Sequence, residues 1–277
     1  MIRALLLLFP AFLAAPCLGA DEPSLLDRGY RQMYNLQFQD AHRSFQEWQK
    51  SHPADPLGPV SDAAAYLFSE FDRLHILESE FFVDDDSFHS HRKLTPDARL
   101  RASFEESLNK GRQLANARLA QSPKDYDAMF ANVLRLGLHA DYLALIEKKY
   151  AVSLNEMKAG RLLAQQLVAA DPGLYDAYLA IGVENYLLSQ KIAPVRWLLR
   201  MNGAQTGKEE GLRNLRLTAE KGRYLLPFAR LLLAVSALRD EDRERAAAIL
   251  RDLAREFPAN RLYTQELSKM THTKGSS

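Results

Sequence analysis

The apolar residues of this 277-residue chain recur three and four positions apart along most of its length, which is the spacing of an α-helix with one buried face. One such stretch occurs twice. Residues 111–128 return 49 positions later as residues 160–177, with nine of the eighteen positions identical. Self-similarity of this kind is typical of repeat proteins, in which each unit buries its apolar face against the next. The pattern therefore predicts an all-α chain of stacked helical units.

Each copy of the repeat reads as the end of one helix, a turn and the start of another. Pro123 and Pro172 are predicted to stop the first helix, because proline lacks the backbone N–H and clashes with the preceding turn. Asp127 and Asp176 fall in the first turn of the following helix, where a carboxylate complements the positive end of the helix dipole.

Small residues in the repeat predict close helix packing. Gly111 and Gly160 open the two copies, and Ala128 and Ala177 close them. Glycine and alanine let two helix axes approach to the low end of the usual range of about 8 to 10 Å. We therefore expect a bulky residue at Gly160 to overpack a helix contact and destabilise the fold.

Residues 1–20 have the composition of a secretory signal peptide. A basic head precedes an apolar stretch, and small residues lie before Asp21. The apolar stretch is interrupted by proline and is shorter than the roughly 20 residues of a membrane span, so no transmembrane helix is predicted. We expect cleavage after Ala20 and export to the periplasm or the medium. Cys17 is the candidate for a lipid anchor, but Pro16 departs from the bacterial lipoprotein pattern and disfavours that alternative.

Composition narrows the classes of function. Cys17 is the only cysteine, so the exported form would have neither a disulfide nor a reactive thiol. Lysine and arginine total 36 against 35 aspartates and glutamates, which leaves the exported chain close to neutral. A neutral chain is unsuited to nucleic acid, whose binding depends on a basic surface. With 47% apolar residues, the chain can bury a substantial core without disulfides.

Both ends of the predicted helical domain carry a 34-residue pattern. In residues 22–55 its small, small, aromatic and proline positions are Gly29, Ala41, Phe45 and Pro53. In residues 227–260 the same four positions are Ala234, Ala246, Leu250 and Pro258. This pattern resembles the tetratricopeptide repeat (TPR), a helix-turn-helix unit. Arg28 and Gln32 depart from the leucine and tyrosine usual in that family, which is typical of a degenerate or capping copy.

The TPR resemblance implies an α-solenoid of helical hairpins over residues 21–270, in which the 49-residue copies are hairpins with lengthened helices or a larger inner loop. It also implies that the first helix of each hairpin lines a concave groove. The residues expected on that groove are Tyr30, Tyr34, Arg135, Tyr178, Asn185 and Tyr186. Tyrosine supplies contact area and a hydrogen-bonding tip, so the groove suits an extended peptide or a partner helix. The alternative for each of these tyrosines is that it fills the core between helices.

Three segments lie outside the predicted helices, and two of them contain residues that could serve a function. Residues 81–95 contain three consecutive aspartates and two histidines, which are ordinary metal ligands, but without a period or a rigid support we interpret them as an exposed loop. Residues 202–209 differ from a phosphate-binding loop in the glycine spacing and in Glu209, so a glycine turn is favoured. The polar tail at 271–277 is predicted to be disordered.

A short amphipathic helix is predicted at residues 192–201, with one tryptophan, several aliphatic residues and two arginines. Packing against the solenoid is favoured, and peripheral contact with a membrane surface is the alternative. This helix, the glycine turn and the following GKEEGL at 207–212 together resemble the inclusion-body clearance family of TPR proteins. That resemblance implies an interaction role without catalysis.

The sequence has no recognisable catalytic or cofactor pattern. Its histidines are scattered, and it contains no nucleophile elbow, metalloprotease helix or nucleotide fingerprint. We therefore predict a non-enzymatic adaptor, without metal or cofactor, that binds a protein or peptide partner in its concave groove. Two alternatives stay open. One is a cell-envelope assembly subunit, and the other is an envelope enzyme or small-ligand carrier whose pocket uses a carboxylate such as Glu184.

Overall fold

The computed structural model describes residues 23–77, 94–189 and 207–272, and for residues 186–189 and 271–272 it describes the backbone only. The predicted signal peptide, most of the predicted loop, the predicted amphipathic helix and most of the glycine turn lie outside these residues. In the described part, 81% of the residues are helical and none is in a strand. The all-α prediction is therefore confirmed.

Eleven α-helices run through the described residues. In chain order they are α1 Leu25–Tyr34, α2 Phe38–Ser51, α3 Leu57–Arg73, α4 Ala98–Gln121, α5 Tyr126–Asp141, α6 Tyr150–Ala170, α7 Tyr178–Ser189, α8 Lys208–Lys221, α9 Leu226–Arg239, α10 Arg243–Glu256 and α11 Arg261–His272. A π-helix, Tyr142–Ile146, follows α5, and a short 3-10 helix, Tyr175–Ala177, leads into α7. Because α11 extends to residue 272, the first two residues of the predicted tail are helical, and the rest of the tail lies outside the described residues.

Polar caps and prolines set many of the helix ends. Ser24 and Asp27 form a reciprocal capping box at α1, where each side chain accepts a hydrogen bond from the other residue's backbone N–H. The Asp97 and Asp125 carboxylates accept backbone N–H groups at the starts of α4 and α5. Helices α4 and α6 both end two residues before the proline of their repeat copy, as predicted.

Each helix packs against the next one along the chain, and α1, α3, α5 and α7 also contact one another in order. The contacts within the first hairpin are close, because a Cβ added to Gly29 of α1 would lie 2.3 Å from Phe45 Cε1 of α2. Other small and apolar positions of the 34-residue pattern are also buried in the two terminal hairpins, namely Ala41, Ala234, Ala246 and Leu250. Six of the eight residues that carry the TPR resemblance are therefore buried, whereas the two prolines, Pro53 and Pro258, are exposed.

The first and last hairpins meet. The Tyr34 hydroxyl of α1 donates to the Tyr224 carbonyl at 3.0 Å, and the Asn260 side-chain amide donates to the Tyr34 carbonyl at 2.8 Å. The Arg223 guanidinium makes two hydrogen bonds of 2.8 Å to the Asp27 carboxylate. One apolar core runs through residues of both ends of the described chain. An array in which each unit contacts only its neighbours would not bring these ends together.

The two repeat copies use their opening glycines differently. A Cβ on Gly111 would lie 2.4 Å from Val60 Cγ2 of α3, so no side chain fits without a shift. A Cβ on Gly160 would meet Leu136 Cβ at 3.5 Å, which is an ordinary van der Waals distance. We expected a contact too close for a side chain at both glycines. Such a contact occurs at Gly111, whereas Gly160 has room for a methyl group.

Alanine at these two glycines should have opposite effects. We expect Gly111→Ala to lower the free energy of unfolding by about 1 to 3 kcal/mol, because the methyl group overpacks against Val60. Gly160→Ala is the matched control at the same repeat position, and it should be neutral or stabilising by about 0.5 to 1 kcal/mol, since alanine is the better helix former. Urea unfolding followed by circular dichroism measures both. Equal effects would contradict the packing difference.

The π-helix begins beside an unpaired carboxyl group. Asp141 has no hydrogen-bond partner among the described residues, and burial raises the pKa of its carboxyl from 3.8 to about 7. Between these two pH values the folded protein holds a proton that the unfolded chain releases. The stability linked to this proton is fully present below about pH 4 and is lost as the pH rises through about 7.

Asp141→Asn should remove this pH dependence. Between pH 5 and pH 8 we expect the wild-type chain to lose about 2 kcal/mol more unfolding free energy than the variant, because asparagine has no proton to release. Urea unfolding of both chains at pH 5, 6.5 and 8 measures the difference. Parallel pH curves for the two chains would show that the Asp141 carboxyl is solvated.

Candidate partner-binding site

The two tyrosines of α1 that were predicted to line the groove are core residues. Tyr30 and Tyr34 are 3% and 6% exposed. The Tyr30 ring stacks on Tyr224 with 4.9 Å between centroids, and the Tyr34 ring lies 5.6 Å from that of Phe257. Both partners belong to the C-terminal part of the chain, which covers the face of α1 that an open array would leave to a ligand. The assignment of Tyr30 and Tyr34 to an open groove is therefore corrected, and their rings fill the core between helices.

The other four predicted residues lie on α5 and α7, which contact each other. Arg135 is half-buried on α5, and Tyr178 is half-buried at the start of α7, where its hydroxyl donates to the Pro172 carbonyl at 3.4 Å. Asn185 is fully buried. Tyr186 lies on α7, but its side chain is outside the described part of the chain. The structure thus places these four residues on two neighbouring helices, and α5 also contributes Ala131, Leu134 and Leu138 to the core that contains Tyr30 and Tyr34.

Asn185 is the most unusual of these residues. Its side chain is 0% exposed, and among the described residues neither its Oδ1 nor its Nδ2 atom has a hydrogen-bond partner. A buried polar group without a partner costs roughly 1 to 3 kcal/mol, and few such groups occur in native proteins. No hydrogen bond within the described part of the chain accounts for this amide, so Asn185 is a candidate for a role in binding.

A buried ion pair lies next to Asn185 in the sequence. Glu184 Oε2 accepts a hydrogen bond of 2.8 Å from Arg161 Nε of α6, and the two residues are 3% and 4% exposed. Arg161 Nη1 also donates to Gln165 Oε1 at 3.0 Å. Burial raises the pKa of the Glu184 carboxyl, and the Arg161 charge opposes that shift. The pair joins α6 to α7 and so fixes the helix turn that carries Asn185.

Arg135 is a half-buried cation that forms no ion pair at bonding distance among the described residues. Its Nε donates to the neutral Asn132 Oδ1 at 3.2 Å. Burial lowers the pKa of the Arg135 guanidinium, with Glu156 opposing the shift and the Arg112 charge adding to it. Glu156 itself lies 2.7 Å from His139 Nδ1. A guanidinium in this position is suited to a carboxylate supplied by a partner.

Two aromatic rings flank the start of α7. Tyr175 and Tyr178 stack with 6.4 Å between centroids, and the Lys221 ammonium lies 5.1 Å from the centre of the Tyr175 ring. Between them in the chain, the Asp176 carboxylate accepts backbone N–H groups of residues 223–225 at 3.0 to 3.1 Å. Burial raises the pKa of Asp176, and these hydrogen bonds oppose the shift. We expected the Asp176 carboxylate to complement the dipole of its own helix. It instead accepts hydrogen bonds from the backbone that leads into α9.

Sequence reasoning missed a buried histidine and aspartate pair. His42 Nδ1 of α2 lies 2.5 Å from Asp62 Oδ1 of α3, and the residues are 7% and 5% exposed. The His42 ring also packs against that of Tyr66 at 4.0 Å. No short motif could reveal this pair, because the two residues meet only through the packing of α2 against α3. Among the described residues, no group of three histidine, cysteine or acidic side chains could hold a metal ion.

Within the described residues, none of the helices combines the length and the apolar character needed to cross a membrane.

Comparison of the chain with protein-family models, with curated proteins and with solved structures found no match. The function is therefore inferred from the chemistry of the residues themselves.

Proposed function

We propose that this chain is an exported, TPR-like helical repeat protein that binds a protein or peptide partner through α5 and α7. The consecutive packing of helical hairpins and the 34-residue pattern at both ends support the TPR-like reading. The observation that carries the binding role is the amide of Asn185, which is fully buried and has no hydrogen-bond partner in the described part of the chain. In this proposal the binding surface consists of Arg135, Tyr178, Asn185 and Tyr186, and it excludes the buried tyrosines of α1.

An extended peptide matches the chemistry of this surface. The Asn185 amide can donate and accept at once, as a peptide main chain requires. Tyr178 supplies an aromatic contact, and Arg135 can bind an acidic side chain of the partner. The side chains that cover Asn185 have to move apart on binding, and local rearrangements of this kind are common at interfaces. Binding would then supply hydrogen bonds to an amide that has none from residues 23–77, 94–189 and 207–272.

The enzyme alternative rests on Glu184, whose pKa is raised by burial. A general acid has to give its proton to the substrate, and a hydrogen bond with a guanidinium favours the ionised carboxylate instead. The bond of 2.8 Å between Glu184 and Arg161 therefore favours a structural role for this carboxylate. The alternative of an envelope assembly subunit predicts that the exported chain stays in the membrane fraction of the source cells.

Photocrosslinking in the native envelope tests the proposed function. A photoreactive phenylalanine analogue in place of Tyr178 should give an adduct with one defined protein, and the adduct should disappear when Asn185→Ala is added while helicity is unchanged. The control is the same analogue in place of Arg251, which is exposed on α10 and should not give this adduct. Adducts that are equal at both positions, or that survive Asn185→Ala, would contradict the proposal. A copurified small molecule without any protein adduct would favour a ligand carrier.

A further inference from the structure

Exposed apolar side chains concentrate on one helix. Among the described residues, the exposed large hydrophobic side chains are Tyr150, Val152 and Leu162, at 37%, 49% and 46% exposure. All three belong to α6. Single exposed apolar residues are ordinary, whereas several on one element indicate an interaction surface.

The exposed face of α6 is almost uncharged and has a regular spacing. At intervals of three and four residues it presents Val152, Asn155, Ala159, Leu162, Gln166 and Ala169, all of them exposed. Lys158 is the only charged residue among the exposed positions of this helix. In a chain with 26% charged residues, a face that only met water would carry more charge. The three-and-four spacing is the one used when two helices pack along their length.

This face of α6 is complementary to itself in an antiparallel pair. A two-fold axis midway between residues 160 and 161 places Ala159 against Leu162 of the partner subunit, Asn155 against Gln166 of the partner subunit, and Val152 against Ala169 of the partner subunit. The first and third pairs put a large side chain against a small one, which lets the helices approach closely. The second pair joins two amides, which can hydrogen-bond to each other.

The charges at the two ends of α6 fit the same arrangement. Lys149 lies directly before the helix and Asp171 directly after it, and both are exposed. An antiparallel pair brings Lys149 of each copy near Asp171 of the partner subunit, whereas a parallel pair would put like charges together. Lys149 also lies 2.6 Å from Glu147 of its own chain, so its charge would be shared between two carboxylates. The antiparallel arrangement also brings helix dipoles of opposite direction together.

We infer that two copies of this chain form a two-fold symmetric dimer by packing α6 against α6 in antiparallel orientation. The surface area that one helix face per copy can bury is smaller than the roughly 1,200 to 2,000 Å² buried in stable interfaces. The dimer therefore exchanges with the monomer, with a Kd on the order of 1 to 100 μM. This inference does not rest on the partner-binding function proposed above.

Sedimentation of the purified chain between about 1 and 200 μM tests the dimer. The wild-type chain should shift from monomer to dimer in this range. Leu162→Glu should weaken the dimer at least about thirtyfold, because it places two like charges close to the two-fold axis. The matched control is Gln113→Glu, which changes an exposed residue at the same repeat position of α4 and should leave the dimer unchanged.

Cysteine crosslinking tests the orientation of the two helices. In a chain that carries Cys17→Ser, the double variant Asn155→Cys with Gln166→Cys should form disulfide-linked dimers on mild oxidation, and Asn155→Cys alone should not. A chain that stays monomeric up to about 200 μM, or a dimer that Leu162→Glu does not weaken, would overturn the inference. A crosslink from Asn155→Cys alone, or a different protein bound to this face of a monomer, would overturn it as well.

Discussion

Arg161→Ala should lower the free energy of unfolding by about 3 to 5 kcal/mol, because it leaves the Glu184 carboxylate buried without its cation. Both residues of the pair are nearly inaccessible to solvent, so water cannot replace the lost guanidinium. The pair also joins α6 to α7, so its loss should loosen α7, which carries part of the surface that we propose for binding. Urea unfolding at pH 7 measures the effect.

Two controls separate the loss of a partner from the loss of a side chain. The double variant Arg161→Met with Glu184→Leu removes both charges, and it should be within about 1 kcal/mol of the wild type, since a buried pair replaced by apolar groups is often neutral or better. Arg251→Ala removes an exposed arginine of α10 and should change stability by less than about 0.5 kcal/mol. If Arg161→Ala resembled Arg251→Ala, the pair would not be buried.

Tyr34→Ala is expected to have a similarly large effect, about 3 to 5 kcal/mol, because the Tyr34 ring fills the core shared by both ends of the chain. Tyr34→Phe keeps the ring and removes only the hydrogen bond to the Tyr224 carbonyl, so it should cost about 1 kcal/mol. Thermal or urea unfolding distinguishes the two variants.

Hydrogen exchange shows where the Tyr34→Ala effect spreads. The core joins α1 to the C-terminal hairpins, so we expect protection to fall in α9, α10 and α11 as well as in α1 and α2. Arg251→Ala serves as the comparison, because its exposed side chain on α10 is not part of that core and its loss should leave protection unchanged. Loss of protection confined to α1 and α2 in Tyr34→Ala would contradict the meeting of the two ends.

Local features of the fold followed from the sequence because their causes lie within a few residues. Pro123 and Pro172 each follow a helix end by two residues, since proline cannot continue a helix. Gly29 and Phe45 meet because a helical hairpin brings positions of a fixed spacing together. Helix type and hairpin pairing were therefore predictable from spacing and composition.

Features that depend on distant parts of the chain were not predictable in this way. The spacing of apolar residues shows which face of a helix is buried but not what covers it. For this reason Tyr30 and Tyr34 were assigned to a groove. Their rings are instead covered by Tyr224 and Phe257, which lie 190 or more residues later in the chain. The pairing of His42 with Asp62 likewise depends on how α2 rests on α3.

The candidate site was only partly predictable from the sequence. The position of Asn185 on the first helix of a hairpin suggested a groove residue. Its complete burial, without a hydrogen-bond partner among the residues that the structure describes, is visible only in the structure. The same holds for Glu184, since its partner Arg161 lies on a different helix. Helical spacing alone shows no difference between a paired and an unpaired buried polar residue.

The stability and partner affinity of Asn185→Leu test the proposed role of this residue most directly. Leucine is similar in size and has no polar atoms, so we expect the free energy of unfolding to rise by about 1 to 2 kcal/mol. Calorimetric titration with the protein captured by crosslinking should show an affinity at least about tenfold weaker than that of the wild-type chain. Asn116→Leu, at an exposed position of α4, should change neither quantity. A less stable Asn185→Leu chain, or one that binds the partner as tightly as the wild type, would contradict the claim that this buried amide is kept for binding.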